Sequence, residues 1–205
     1  MYHWIYISIT TQGGTIKIMK KNMKIFSILT VLIISLIGCN SEQTDTGKEV
    51  YEGEKLNIGI VGKTPEINEN KNVINFKKIS LEGINRLDLK SYDAVIISKD
   101  YLSKAANKKY KDTYLNGQIP FFFVESKGSI LPFVDNSLTY KQYADRVNDT
   151  QSYIVGVLGN PNGDNYNTWQ YDYAIKNDKF DRTDVKDIYS RVFKTVEKVK
   201  KEKRS

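Results

Sequence analysis

One histidine and one cysteine occur in 205 residues, and that scarcity removes most familiar catalytic machinery. A Ser-His-Asp or Cys-His centre needs an imidazole base, and zinc sites built on His and Cys need several such ligands. His3 stands at the extreme amino end, and Cys39 has no second thiol with which to close an intrachain disulfide. What remains is the chemistry of carboxylates, lysines and oxygen ligands, or binding without catalysis.

The lone cysteine sits in "SLIGCNSE", at the end of the apolar run "KIFSILTVLIISLIG" at 24–38. Lys20, Lys21 and Lys24 give that run a basic flank, and it is too short for an ordinary membrane-spanning helix, which is the pattern of an export signal. Leu36, Ile37, Gly38 and Cys39 resemble the lipobox of bacterial lipoprotein precursors. The resemblance implies diacylglyceryl transfer to the cysteine sulfur, cleavage before Cys39, and attachment to the extracytoplasmic face of the cell membrane. It also takes the thiol out of catalysis. An uncleaved helix with a buried cysteine is the competing reading, disfavoured by the basic flank and by the polar Asn40, Ser41 and Glu42 that follow.

Residues 1–18 fit poorly ahead of such a signal, since "MYHWIYISITTQGG" is neither a basic leader nor a patterned domain. Gln12, Gly13 and Gly14 can be encoded by AGGAGGT within their codons, a ribosome-binding sequence a short distance before Met19. Translation is therefore expected to start at Met19 or Met23, leaving 1–18 as an upstream extension read in error. The expected organisation is then 19–38 signal peptide, 39–54 lipidated cysteine and flexible tether, and 55–205 a single domain. The polar tether "NSEQTDTGKEVYEGE", as a random coil, reaches about 20 Å.

Removing 1–38 takes away four lysines and no acids, so the net charge falls from +7 to +3 over the remaining 167 residues. The tail from Lys194, "KTVEKVKKEKRS", carries +4 by itself and leaves 39–193 at −1. A general nucleic-acid surface is disfavoured by this distribution. The positive tail suits a helix end, where cations meet the negative end of the helix dipole.

Along the domain, strands are expected at 56–62, 73–79, 93–98, 119–126 and 152–159, with a helix at 100–117 ended by Gly117 and a short helix in 138–149. "NPNGDN" reads as a turn leading into "NTWQYDYAI", where Trp169, Tyr171 and Tyr173 alternate onto one face, so a C-terminal hairpin is expected. Val185, Ile188, Tyr189, Val192, Phe193, Val196 and Val199 form the apolar stripe of a terminal amphipathic helix, with Asp181 to Asp184 expected to cap it. The order of elements favours an α/β fold with an open, mainly parallel sheet of flavodoxin-like or Rossmann-like type.

In such a sheet, ligands meet the loops at the carboxyl ends of the parallel strands. Those loops hold Lys63, Thr64, Ser98, Lys99, Glu125, Ser126 and Lys127, the candidate ligand-binding residues, and the three lysines suit an anionic ligand. The alternative is that they are solvated loop residues. Gly62-Lys63-Thr64 resembles the end of a phosphate-binding P-loop, but Asn57 stands where its first glycine belongs. Asn160, Asn162, Asp164 and Asn165 offer oxygen ligands without the spacing of a calcium loop. Trp169, Tyr171 and Tyr173 fit core packing better than a sugar platform.

Together "LNIGIVGKTPE", "YDAVIIS" and "IPFFFVESK" are similar to segments of uncharacterised lipoproteins of spore-forming Gram-positive bacteria. That resemblance implies a shared fold and anchoring, and brings no activity. The expected function is a monomeric, non-enzymatic lipoprotein with no cofactor, whose domain binds a small solute or a surface protein. The alternative is an extracytoplasmic hydrolase using Glu125 or Asp100 with a divalent ion.

Overall fold

The computed structural model describes residues 10–11, 14–15, 50–85, 89–147, 150–161 and 165–205. The signal-like run, Cys39 and residues 40–49 lie outside the described residues. The described residues from Val50 onward belong to one compact unit; outside it, Thr10–Thr11 pairs antiparallel with Gly14–Thr15. Among the described residues no helix is long and apolar enough to cross a membrane.

The larger unit is built on a six-stranded sheet: β1 Leu56–Val61, β2 Ile74–Lys78, β3 Ala94–Ile97, β4 Phe121–Val124, β5 Ser152–Gly159 and β6 Tyr166–Asp172. The spatial order is 2-1-3-4-5-6. β1 to β4 are mutually parallel, and β5 and β6 join as an antiparallel hairpin. Every residue of "AVII" and "FFFV" in β3 and β4 is buried, as central strands covered on both faces require. β2, at one edge, exposes Lys77 and Lys78, charges that blunt an edge against pairing with another chain. The mainly parallel α/β sheet with a C-terminal hairpin and a terminal helix is as expected. With a single strand outboard of β1, the order of the parallel strands is that of the flavodoxin-like branch.

Two cores flank the sheet. On one face lie Ile58, Ile60, Ala94, Ile96, Phe122 and Ile154, covered by the terminal helix through Ile188, Tyr189, Val192, Phe193 and Val196. On the other, Val61, Val95, Ile97, Phe121, Phe123, Val155 and Val157 are covered by Leu102, Tyr110, Tyr114 and Phe133. The connection from β1 to β2 contains no helix, although Ile67 and Val73 within it pack on the first core. The terminal helix therefore supplies the helical cover that this crossover lacks.

The connecting helices are shorter than their periodicity predicts. The expected 100–117 helix is a 3-10 turn at Lys99–Tyr101, then α1 Leu102–Ala105 and α2 Lys108–Asn116, interrupted where the Asn107 side chain accepts the Lys109 N–H and starts a new helix. Gly117 is extended rather than left-handed, and a Cβ there would lie 2.6 Å from Thr113 O, so close packing explains this glycine. α3 Leu131–Val134 has no counterpart in the sequence reading, whereas α4 Tyr140–Ala144 opens with a full capping box between Thr139 and Gln142.

Beyond β6, β7 Ala174–Lys176 and β8 Lys179–Asp181 form a small second hairpin whose turn residues Asn177 and Asp178 have φ of 52° and 58°. That turn needs residues tolerant of the left-handed region. The terminal helix, α5, spans Lys186–Glu202. Its N-cap is Val185, with no side-chain cap, and Asp181 instead accepts the Thr183 hydroxyl and N–H; capping by the Asp181 to Asp184 segment is thus corrected.

The domain also begins earlier than residue 55. Tyr51 is 2% exposed against Phe193, and its N–H donates to Glu69 Oε1 at 3.1 Å. Glu54 accepts from Arg204 at 2.9 Å, while its N–H donates to Glu197. Residues 51–54, expected as tether, are an arm clasped by α5, because an aromatic ring in a polar stretch found a core to join.

Candidate functional site

The chain leaves β1, crosses to β2 on one side, and returns to β3 on the other, so the topological switch lies between the carboxyl ends of β1 and β3. Two expected residues meet there. Gly62, at φ +98°, turns the chain out of β1, and a Cβ on it would fall on Ser98 Oγ. The next N–H, of Lys63, donates to that same hydroxyl at 3.3 Å. Ser98 thus ties the β1 loop to the end of β3. Lys63 is exposed and Thr64 half-buried on the outgoing strand of this loop. Asn57, inside β1, accepts from Asn75 of β2 at 2.8 Å, so the position of the missing P-loop glycine belongs to the sheet.

Lys99 and Glu125 come together from the ends of β3 and β4. Lys99 Nζ donates to Glu125 Oε2 at 2.6 Å, and their side chains are 63% and 37% exposed. This bond holds the Lys99 ammonium above its ordinary range. Glu125 has a φ of 55°, and its backbone is gripped on both sides: its N–H donates to Tyr153 O at 2.6 Å, and its carbonyl accepts the Tyr140 hydroxyl at 3.4 Å. A left-handed conformation in a residue with a Cβ costs on the order of 1–3 kcal/mol and concentrates at functional sites.

Of the remaining two candidates, Lys127 has a structural task and Ser126 is buried. Lys127, also left-handed at φ 58°, donates through Nζ to Ala144 O at 2.7 Å and Val147 O at 2.8 Å. It closes the carboxyl end of α4, where a cation is favoured by unpaired carbonyls and the helix dipole. Ser126 is 1% exposed and its hydroxyl has no partner; Ser152 Oγ, on β5, is likewise buried and unpartnered.

Around the Lys99–Glu125 pair lie tyrosines that the sequence reading did not gather. Tyr140, Tyr153 and Tyr173 are all within electrostatic reach of both charges. Burial, chiefly, raises all three phenols, with Glu125 adding to the effect. Tyr153 and Tyr173 rings are 5.1 Å apart, and the Tyr153 and Tyr189 hydroxyls are 3.2 Å apart. The Arg182 guanidinium lies 4.6 Å from the Tyr173 ring centre, a cation–π distance. Trp169, Tyr171 and Tyr173 themselves belong to the α5-side core, with Tyr171 hydrogen-bonded to Thr195 at 2.7 Å. Only sheet pairing delivers Tyr153 to Glu125: β5 runs antiparallel to β4, a partnership with no local signature.

Two shallow grooves occur elsewhere, of about 220 Å³ beside Gly159 and Tyr166 and about 280 Å³ beside Asn85 and Gln118. Both lie at the opposite, amino edge of the parallel strands and fall below the roughly 300–1,000 Å³ of small-molecule pockets. The chemistry at the carboxyl edge is arranged on open surface. Asp100 is exposed in the Lys99–Tyr101 turn, and among the described residues no group of three or more His, Cys, Asp or Glu is placed to hold a metal. Asn162 and Asp164 of the turn-like segment lie outside the described residues.

Comparison with known proteins finds no matching family model, curated protein or solved structure.

Proposed function

We propose that the chain is an extracytoplasmic lipoprotein anchored through Cys39, and that its α/β domain is a non-enzymatic binding module with its binding surface at the carboxyl edge of the sheet. The observation carrying this reading is the Lys99–Glu125 pair, which joins two strand ends beside the topological switch, with the Tyr140 hydroxyl on the Glu125 carbonyl. The occupant is a small solute or an exposed segment of a neighbouring surface protein. An open surface carrying paired charges orients a polar partner without a catalytic centre.

Fatty-acid labelling tests the anchor: wild type incorporates label and partitions with membranes, and Cys39→Ala does neither. Label-free, cytosolic wild type with an intact 19–38 segment would remove it. Catalysis is tested by incubating the purified protein with phosphate-ester and glycan substrates and divalent ions. Turnover abolished by Glu125→Ala or Asp100→Ala would replace the binding module with a hydrolase.

A further inference from the structure

Lys99 and Glu125 satisfy each other at 2.6 Å, and that mutual satisfaction limits what can bind. A simple anion that took Lys99 would leave the Glu125 carboxylate facing it. A simple cation on Glu125 would meet the Lys99 ammonium. A molecule carrying both charges one carbon apart avoids both penalties, since its carboxylate takes Lys99 while its ammonium takes Glu125. One ion pair is exchanged for two, with the local charge balance unchanged.

We infer that the carboxyl edge receives the zwitterionic head group of a free α-amino acid, seated between Lys99 and Glu125. Two further features fit. Both side chains are substantially exposed, so opening their bridge sacrifices little, as exposed ion pairs contribute weakly to stability. Glu125 is prevented from following Lys99 away, because Tyr153 O and the Tyr140 hydroxyl clamp its backbone in a left-handed conformation.

This inference rests on the carboxyl edge being the binding surface, and calorimetry on the full-length chain in detergent separates the two. The probes are glycine and L-phenylalanine, with N-acetyl-L-phenylalanine, which keeps only the carboxylate, and L-phenylalaninamide, which keeps only the ammonium. The zwitterions are expected to bind at least tenfold more tightly than either single-charge analogue. Lys99→Met and Glu125→Gln should each remove that preference with circular dichroism unchanged. The charge-swapped pair Lys99→Glu with Glu125→Lys restores one cation and one anion, so zwitterion binding should return, whereas each single swap should lack it. N-acetyl-L-phenylalanine binding as tightly as L-phenylalanine, and lost in Lys99→Met, would overturn the zwitterion while keeping the carboxyl edge as the site. Zwitterion binding unaltered in every Lys99 and Glu125 variant would overturn both, and no binding of either zwitterion would overturn the inference alone.

Discussion

Glu69 shows how one buried polar residue can determine where a domain begins. It lies in the helix-free β1–β2 connection at 7% exposure, and Oε1 accepts from the Tyr51 N–H and the Ser190 hydroxyl while Oε2 has no partner. Removing the carboxyl leaves the buried Tyr51 N–H unmatched, at a cost of about 1–3 kcal/mol, while the Ser190 hydroxyl can turn to Lys186 O. Glu69→Ala is therefore expected to destabilise the domain by about 1–3 kcal/mol, measured by urea unfolding of residues 50–205 with Trp169 fluorescence as the probe. Glu69→Gln keeps an acceptor oxygen and should lose less than half as much. A Glu69→Ala midpoint equal to wild type would show that the arm is held by Tyr51 packing alone.

At the scale of elements, α5 is the most consequential helix. Phe193 is fully buried and meets the rings of Tyr51, Phe76 and Tyr189 at 6.1, 6.3 and 6.4 Å. Phe193→Ala should cost about 3–5 kcal/mol, the usual range for a buried Phe truncated to Ala. It should also free the arm, so limited proteolysis is expected to cut within residues 50–55 before the sheet opens; simultaneous loss of arm and sheet would argue for one cooperative unit.

α5 was legible in the sequence because seven apolar residues repeat at helical spacing, and all but Val185 of that stripe are buried. β3 and β4 were legible as unbroken apolar runs. Less was visible where tertiary partners decide the outcome. Tyr51 looks like part of a polar tether until Phe193 and Glu69 are beside it. The 100–117 helix breaks at Asn107, whose capping side chain competes with helix continuation. Of the candidate site, Lys63, Ser98, Lys99 and Glu125 follow from the ends of parallel strands, but Lys127 serves α4, and the approach of Tyr153 to Glu125 depends on long-range pairing.

For the whole molecule, buried phenols make alkaline pH the informative stress. Burial pushes Tyr171 up to about 12, opposed by its hydrogen bond to Thr195, and burial also raises Tyr51, Tyr114 and Tyr189 strongly. In the unfolded chain these phenols titrate near 10. Between those values the unfolded state has lost protons that the native state retains, so stability is complete below pH 10 and falls as pH rises through about 12. Tyr171 alone accounts for a loss on the order of 2–3 kcal/mol across that window. Unfolding midpoints measured from pH 8 upward should fall steeply above pH 10, and Tyr171→Phe should flatten the slope by one proton. An unchanged slope in that variant would mean that its phenol titrates normally.

The clasp between the arm and α5 also carries a temporal consequence. Arg204 meets Glu54 across 150 positions of sequence, and Lys200 reaches Lys55 O across 145. Closing a loop of that length costs roughly 4 kcal/mol in chain entropy before any contact compensates it. The ends therefore meet only after the sheet has drawn them together. In a chain emerging amino end first, the face bearing Ile58, Ile60, Ala94, Ile96 and Phe122 waits for cover until the final helix is complete. That apolar face is thus uncovered from the formation of the sheet until the last helix docks, and a chain released without its last seventeen-residue helix keeps it open.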